Sequence, residues 1–307
     1  MTARRSFLKL GTAAVASLLA APLLVRTAGA ATSARPASVD DMSAIAAAAD
    51  FEALEKASGG RLGVTLLDTA SGRRLGHRQD ERFPMCSTFK FVLAATVLDR
   101  TASGALSLDQ RLPITAEDLL DHAPTTQRHV GKNLTVRDLC RTTMVTSDNP
   151  AANVLLRRLG GPAAVTAFLR AHGDLVTRND RYEPEVNQFA ADDPRDTTSP
   201  AAMAATLQRM VVGQGLATTS RQQLADWLID NETGDACLRA GLSKRWRVGD
   251  KTGSNGRDTR NDIAVLWPVG SGSPWVLTAY LQGATVDSAQ RDAVLARVGA
   301  LADTLIG

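Results

Sequence analysis

The chain is poor in the residues that build metal sites and cross-links. Its three cysteines, Cys86, Cys140 and Cys237, contain no Cys-x-x-Cys pair, and its four histidines, His77, His122, His129 and His172, are scattered. A metal cluster needs such ligands close together, so no metal and no cofactor are expected. The odd cysteine count leaves at least one free thiol in an exported chain, and nothing in the sequence requires a disulfide. No repeat of fixed period is present, which excludes solenoids and propellers. The apolar stretch from about Gly11 to Val25 is only around 15 residues long and is interrupted by Pro22. A bilayer-spanning helix needs roughly 20, so a membrane anchor in the mature protein is not expected. Aromatics are scarce, at 4% of 307 residues, but 44% hydrophobic and 22% charged residues lie near the globular norm. Disordered, collagenous and disulfide-scaffold proteins are thereby excluded, and the length allows one large domain or two medium ones.

Acidic residues are missing from residues 1–30, where Arg4, Arg5, Lys9 and Arg26 supply four of the positive charges behind a formal net charge of +3. Without that segment the chain carries about −1, which gives a nucleic-acid partner no electrostatic footprint. The segment has the three parts of an export signal in order: a basic start, an apolar stretch, and the small-x-small site Ala28-Gly29-Ala30. Arg4-Arg5-Ser6-Phe7-Leu8-Lys9 resembles the twin-arginine motif, the address for export of folded proteins. The expected location is the periplasm, or the medium if the host lacks an outer membrane, with the twin-arginine machinery as a partner.

Along the rest of the chain, Ala-rich residues 40–56 suit a helix ended by Gly59-Gly60. Leu62–Asp68 and Leu75–Arg78, around the turn-like Thr69-Ala70-Ser71-Gly72, predict a hairpin. Residues 84–228 have helical composition nearly throughout, with Gly and Pro at the joints. Within them, Asn149-Pro150, Ala151 to Leu159 and Gly160-Gly161 predict a helix with an Asn cap, Pro at its first position and Gly past its end. Strands return at Trp246–Ser254, Arg260–Trp267 and Trp275–Leu281, the first two flanking Asn255-Gly256, and a last helix covers about residues 289–305. An α+β fold follows: residues 40–83 and 229–307 form an antiparallel sheet with helices, and residues 84–228 form an all-helical domain. A cleft between the two is the expected place for a site.

Four segments carry candidate chemistry. In Ser87-Thr88-Phe89-Lys90, residues three apart on a helix share a face, so an amine of depressed pKa can take the proton of a serine nucleophile. Alone, the segment is equally a helix cap followed by a solvated lysine. Ser147-Asp148-Asn149 stands in the connection before the capped helix and can point into a cleft, although a plain capping loop explains it as well. Lys251-Thr252-Gly253 sits late in a strand, where a lysine and a hydroxyl suit an anion and the glycine admits a ligand to the backbone; an edge-strand lysine is the plain alternative. In Arg181-Tyr182-Glu183-Pro184-Glu185-Val186-Asn187, a carboxylate and an amide four residues apart can hold one water, with the carboxylate as general base. Arg181 and Asp196 can close that loop with an ion pair, although a solvated charged loop has the same composition.

Taken together and in this order, the segments match the motif set of the class A serine β-lactamases, and over essentially the whole mature chain the sequence resembles that family. It is most similar to the chromosomal class A cephalosporinases of xanthomonad-like Gram-negative bacteria. The resemblance implies a five-stranded antiparallel sheet with an all-helical domain, and hydrolysis of small β-lactam antibiotics that confers resistance. It implies Ser87 as the acylated nucleophile, Lys90 as base or proton relay, and the backbone N–H groups of Ser87 and Ser254 as oxyanion hole. Ser147 would pass a proton to the lactam nitrogen and Asn149 would bind the substrate's side-chain amide. Glu183 and Asn187 would hold the hydrolytic water, and Lys251, Thr252, Gly253 and Arg260 would line the pocket for the substrate carboxylate. His122 stands where many members carry an aromatic residue at the cleft rim. Cys140 and Cys86 match halves of two family disulfides whose partner positions are here Ala94 and Asn255, so neither can form. A penicillin-binding transpeptidase or carboxypeptidase shares three of the motifs, and a non-catalytic β-lactam sensor is the alternative of another class; Glu183 with Asn187 favours the hydrolase.

Overall fold

Five strands hydrogen-bond side by side in one sheet, every neighbouring pair antiparallel, in the order β2 (Arg74–His77), β1 (Arg61–Asp68), β9 (Trp275–Gln282), β8 (Arg260–Pro268) and β7 (Trp246–Ser254). The computed structural model describes residues 39–307, with side-chain environments from residue 47. The export segment expected at residues 1–30 lies outside the described residues. In chain order, helix α1 (Val39–Ser58) is followed by β1 (Arg61–Asp68), β2 (Arg74–His77), β3 (Phe83–Pro84) and α2 (Phe89–Ala102). Then come β4 (Arg111–Pro113), β5 (Asn133–Thr135), α3 (Val136–Val145), α4 (Asn149–Leu159), α5 (Ala163–Ala171), β6 (Thr197–Thr198), α6 (Pro200–Leu207) and α7 (Thr218–Ile229). The chain finishes with α8 (Leu238–Gly241), β7 (Trp246–Ser254), β8 (Arg260–Pro268), β9 (Trp275–Gln282) and α9 (Ser288–Ile306).

The central strands are apolar on both sides because both faces are covered. Along β8, Ile263 and Val265 enter one core while Ala264 and Leu266 enter another; along β9, Val276 and Tyr280 alternate in the same way with Leu277, Ala279 and Leu281. That alternation is the two-residue period of a strand written in buried side chains. One core joins the sheet to α1, α8 and α9 through Phe51, Leu238, Leu295 and Val298. The other joins the opposite face to the helices of the middle segment through Phe83, Phe89, Phe91, Leu155 and Leu207. The described residues make one compact unit. The middle segment also holds two short ladders that its helical composition hides, β3 with β6 and β4 with β5. Strands of two or three residues are too short to show a period, and only their partners across the fold define them.

Candidate active site

Ser87 lies in a single tight turn, Cys86–Thr88, that runs directly into α2. The turn is held from three sides. Asn261 of β8 donates to the carbonyls of Pro84 (2.8 Å) and Met85 (3.1 Å). Met85 N–H donates to Asp196 O at 2.9 Å, and the Thr88 hydroxyl donates back to Met85 O at 2.8 Å. The buried Cys86 is thereby kept at φ +44°, a left-handed conformation that costs a non-glycine residue energy and recurs at functional sites. Gly253 of β7 presses against this turn. A side-chain carbon there would stand 2.7 Å from Met85 O and 3.2 Å from Ser87 N, so only glycine lets β7 and the turn meet. The contact sets Ser87 beside the end of β7, where Ser254 follows.

Lys90 is fully buried in the first turn of α2. Its ammonium donates to Ser147 O at 2.7 Å and Asn149 Oδ1 at 2.6 Å, and lies 3.3 Å from Ser147 Oγ. Glu183 Oε1 is 3.1 Å away, an ion pair between two side chains without solvent exposure. Burial pushes the Lys90 ammonium down, against the pull of the Glu183 charge. No hydrogen bond joins Lys90 to Ser87 among the described residues; the amine turns instead to Ser147, Asn149 and Glu183. Catalytic contacts often tighten only with substrate in place.

Ser147, at φ +61°, receives a second lysine: Lys251 Nζ lies 3.2 Å from its Oγ and donates to Thr252 O at 2.9 Å. Lys251 belongs to an edge strand, yet it is completely buried. Burial and the neighbouring Lys90 charge bring its pKa from 10.5 to about 7. A hydroxyl that accepts from two ammonium groups keeps its own proton free to donate outward, into the cleft.

Asp148, between these two residues, was given no role from the sequence. It is the cap of α4, accepting from Ala151 N–H at 3.0 Å, and it also accepts from Thr125 N–H, Thr126 N–H and the Thr126 hydroxyl. The cap expected at Asn149 therefore moves one residue back. Asn149 is left free to accept from Lys90 and to donate to Asp121 O at 3.0 Å.

The loop of residues 178–196 brings Glu183 to Lys90. Asp196, fully buried, accepts from Arg181 Nε at 2.5 Å and from the N–H groups of Asp180 and Arg181, the closure expected for this loop. Asn153 of α4 clamps the Glu183 backbone from both sides, at 2.9 and 2.8 Å. Asn187 Nδ2 donates to Glu183 Oε2 at 2.6 Å. Asn187 Oδ1 is buried without a hydrogen-bond partner in the protein, and the buried Glu183 Oε1 meets the Lys90 ammonium.

Ser87, His122, Ser147, Asn149, Asn187, Thr252, Gly253, Ser254 and Arg260 line one cleft of about 410 Å³, and Lys90, Glu183 and Lys251 form its buried floor through the contacts above. Two larger grooves, of about 650 Å³ beside residues 189–194 and about 550 Å³ beside α7, hold no such constellation. His122 sits at the rim at φ +62°, and its Nε2 lies 2.8 Å from Thr146 O, so that nitrogen carries the proton. Arg260 is held by Asp292 at 2.5 Å and donates to Thr233 O at 3.3 Å. Thr233 and Gly256 also line the cleft, although no motif marked them, because the loops that carry them reach it only through the folded sheet. The three cysteines are free and buried. Among the described residues no cluster of three or more His, Cys, Asp or Glu side chains has metal-binding geometry, and no helix is long and apolar enough to cross a membrane.

Comparison with known proteins agrees with the resemblance carried by the motifs. Residues 46–305 match the beta-lactamase enzyme family. The chain is 67% identical over all of its 307 residues, and all of the relative, to β-lactamase L2 of Stenotrophomonas maltophilia. It is 48% identical over 246 residues, 80% of this chain and 84% of the relative, to β-lactamase Toho-1 of Escherichia coli. Among solved structures, L2 complexed with relebactam superposes with a TM-score of 0.83 at 72% identity, covering 86% of this chain and 98% of that one. A β-lactamase from Xanthomonas campestris pv. campestris superposes with a TM-score of 0.85 at 56% identity, covering 88% of this chain and 100% of that one. With whole-length identity, the shared fold and the motif residues gathered in one cleft, the chain belongs to the class A β-lactamases, hydrolases that act on β-lactams.

Proposed function

We propose that the enzyme opens the lactam ring through an acyl-enzyme on Ser87 and releases it with a water activated by Glu183. Ser87 Oγ attacks the lactam carbonyl carbon, and its proton passes to the Lys90–Glu183 pair. The backbone N–H groups of Ser87 and Ser254 stabilise the oxyanion. As the C–N bond breaks, Ser147 gives its proton to the departing nitrogen and is reprotonated from the lysines that contact it. In the second step Glu183 takes a proton from a water, the hydroxide attacks the acyl carbonyl, and the ester bond to Ser87 breaks with return of the proton. Asn149 binds the substrate's side-chain amide, His122 borders it at the rim, and Lys251, Thr252, Gly253 and Arg260 hold its carboxylate.

One observation carries this reading: Asn187 Oδ1, buried beside the Glu183 carboxylate that its own amide nitrogen binds, is an acceptor without a protein donor. An unpaired acceptor next to a carboxylate suits a molecule with two protons to give, and a water is the smallest that fits. A transpeptidase or a sensor has no need of this pair. Purified mature enzyme is expected to turn over a chromogenic cephalosporin catalytically. Glu183→Ala is expected to stop at the acyl-enzyme, seen as a stable mass increase on intact protein; release at the wild-type rate would remove Glu183 from this role. The relatedness to an L2 enzyme solved in complex with relebactam makes that compound a second probe of the cleft. We further propose export through the twin-arginine route by residues 1–30, with the mature enzyme in the periplasm, where a small anionic antibiotic must pass before reaching its target.

A further inference from the structure

The loop between α7 and α8 places Thr233, half-buried, in the cleft wall beside Thr252 and Arg260. Its hydrogen bonds have a fixed direction. Thr233 N–H donates to Asn231 Oδ1 at 3.2 Å. A backbone N–H can only donate, so the Asn231 atom facing it is the oxygen, and the amide nitrogen faces Asp250 Oδ2 at 2.5 Å. The Thr233 hydroxyl lies 2.8 Å from the same Asn231 oxygen. That oxygen only accepts, so the single hydroxyl proton of Thr233 is committed to it. Thr233 Oγ1 and Thr252 Oγ1 are 2.5 Å apart, and the proton between them therefore comes from Thr252. The loop is seated firmly: a side-chain carbon on Gly234 would stand 2.0 Å from Asp250 Oδ2, and Asp250 is itself held by Arg239 Nε at 2.8 Å.

We infer that Thr233 is a specificity-determining residue that competes with the substrate's anionic group for the one proton of the Thr252 hydroxyl. The inference rests on the proposed reading that Thr252 binds the substrate carboxylate. With its proton on Thr233, Thr252 turns only lone pairs toward the cleft, and a carboxylate also offers only lone pairs. Binding through Thr252 requires the hydroxyl to rotate and break its bond to Thr233. Thr233 cannot take part in exchange, because its own proton stays on Asn231. Its carbonyl meanwhile keeps its bond from Arg260, so the guanidinium is held in place while the hydroxyl turns. The cost of that rotation falls only on substrates whose anion reaches Thr252.

The test is steady-state kinetics with a carboxylate-bearing penicillin on purified Thr233→Val, Thr233→Ser, Thr252→Val and the Thr233→Val/Thr252→Val double variant. Thr233→Val keeps the backbone N–H on Asn231 and the carbonyl on Arg260, and removes the competing acceptor together with the hydroxyl's own bond to Asn231 Oδ1. KM is expected to fall about two- to ten-fold, the size of one neutral hydrogen bond, with kcat changing by less. Thr233→Ser, which restores the hydroxyl, is expected to return KM to the wild-type value, and Thr233→Val is expected to have no effect on KM when Thr252 is already Val. An unchanged or raised KM in Thr233→Val, or an equal fall in the double variant, overturns the inference. Thr252→Val reports separately on the underlying reading: a raised KM supports Thr252 as carboxylate ligand, and an unchanged one removes that reading and the inference with it.

Discussion

Lys251 and Gly253 stand two residues apart on the same side of β7, and each does its work through what surrounds it. Burial lowers the Lys251 pKa to about 7, helped by the like charges of Lys90 and Arg260 and opposed by Asp250 and Asp262. Burial raises both carboxylates above their usual range, Asp262 well above it, so they offset the lysine less than two exposed acids would. Below pH 7 Lys251 is charged and attracts the substrate carboxylate; as pH rises through about 7 the cleft loses that charge. KM for a carboxylate-bearing β-lactam is therefore expected to be flat below neutral pH and to rise above it, in a pH profile of the steady-state rates. Lys251→Arg, whose guanidinium stays charged, is expected to flatten the rise. Gly253 has a steric role. Gly253→Ala pushes β7 away from Met85 O and Ser87 N and so opens the oxyanion hole, with an expected fall in the acylation rate on the order of a hundred-fold, measured by rapid mixing.

At the scale of elements, α4 and the connection before it form one unit around Asp148. This buried carboxylate caps α4 and ties residues 125 and 126 to it, while the residues on either side, Ser147 and Asn149, face the cleft. Capping is worth about 1 kcal/mol, and each buried donor left unpaired costs about 1–3 kcal/mol more. Asp148→Ala is expected to lower stability by roughly 3 kcal/mol or more in urea unfolding, and also to lower kcat, because the same loop fixes Ser147. A loss of stability without any change in kcat would show that Ser147 is positioned independently of the cap. The loop of residues 178–196 is built on similar logic, with buried Asp196 gathering the N–H groups of Asp180 and Arg181 and the Arg181 guanidinium.

Across the whole molecule, the sheet separates two cores, and one of them borders the turn that carries Ser87. Phe89 and Phe91 of α2 flank Lys90 in the core on the helical side, whereas Phe51 of α1 packs with Leu66, Leu277 and Val298 on the far side. Phe51→Ala is expected to cost about 3–5 kcal/mol in unfolding free energy while leaving kcat/KM of the folded enzyme near the wild-type value at low temperature. Loss of activity in step with stability would mean that strain crosses the sheet.

Several features were settled by local chemistry and could be read without the fold. Strand spans such as Trp275–Leu281 follow from apolar content and turn residues, and this one matches β9 to within one residue because both faces of the sheet are buried there. The candidate residues Ser87, Lys90, Ser147, Asn149, Glu183, Lys251 and Thr252 sit in short motifs whose spacing a helix turn or a strand end enforces. What the tertiary structure decided is the environment of those residues. Nothing local buries Lys251 on an edge strand, moves the α4 cap to Asp148, puts Asp292 against Arg260, or orders the proton from Thr252 through Thr233 to Asn231. Burial, charge balance and hydrogen-bond direction depend on segments far apart in the chain, and only the folded sheet and its helices bring these together.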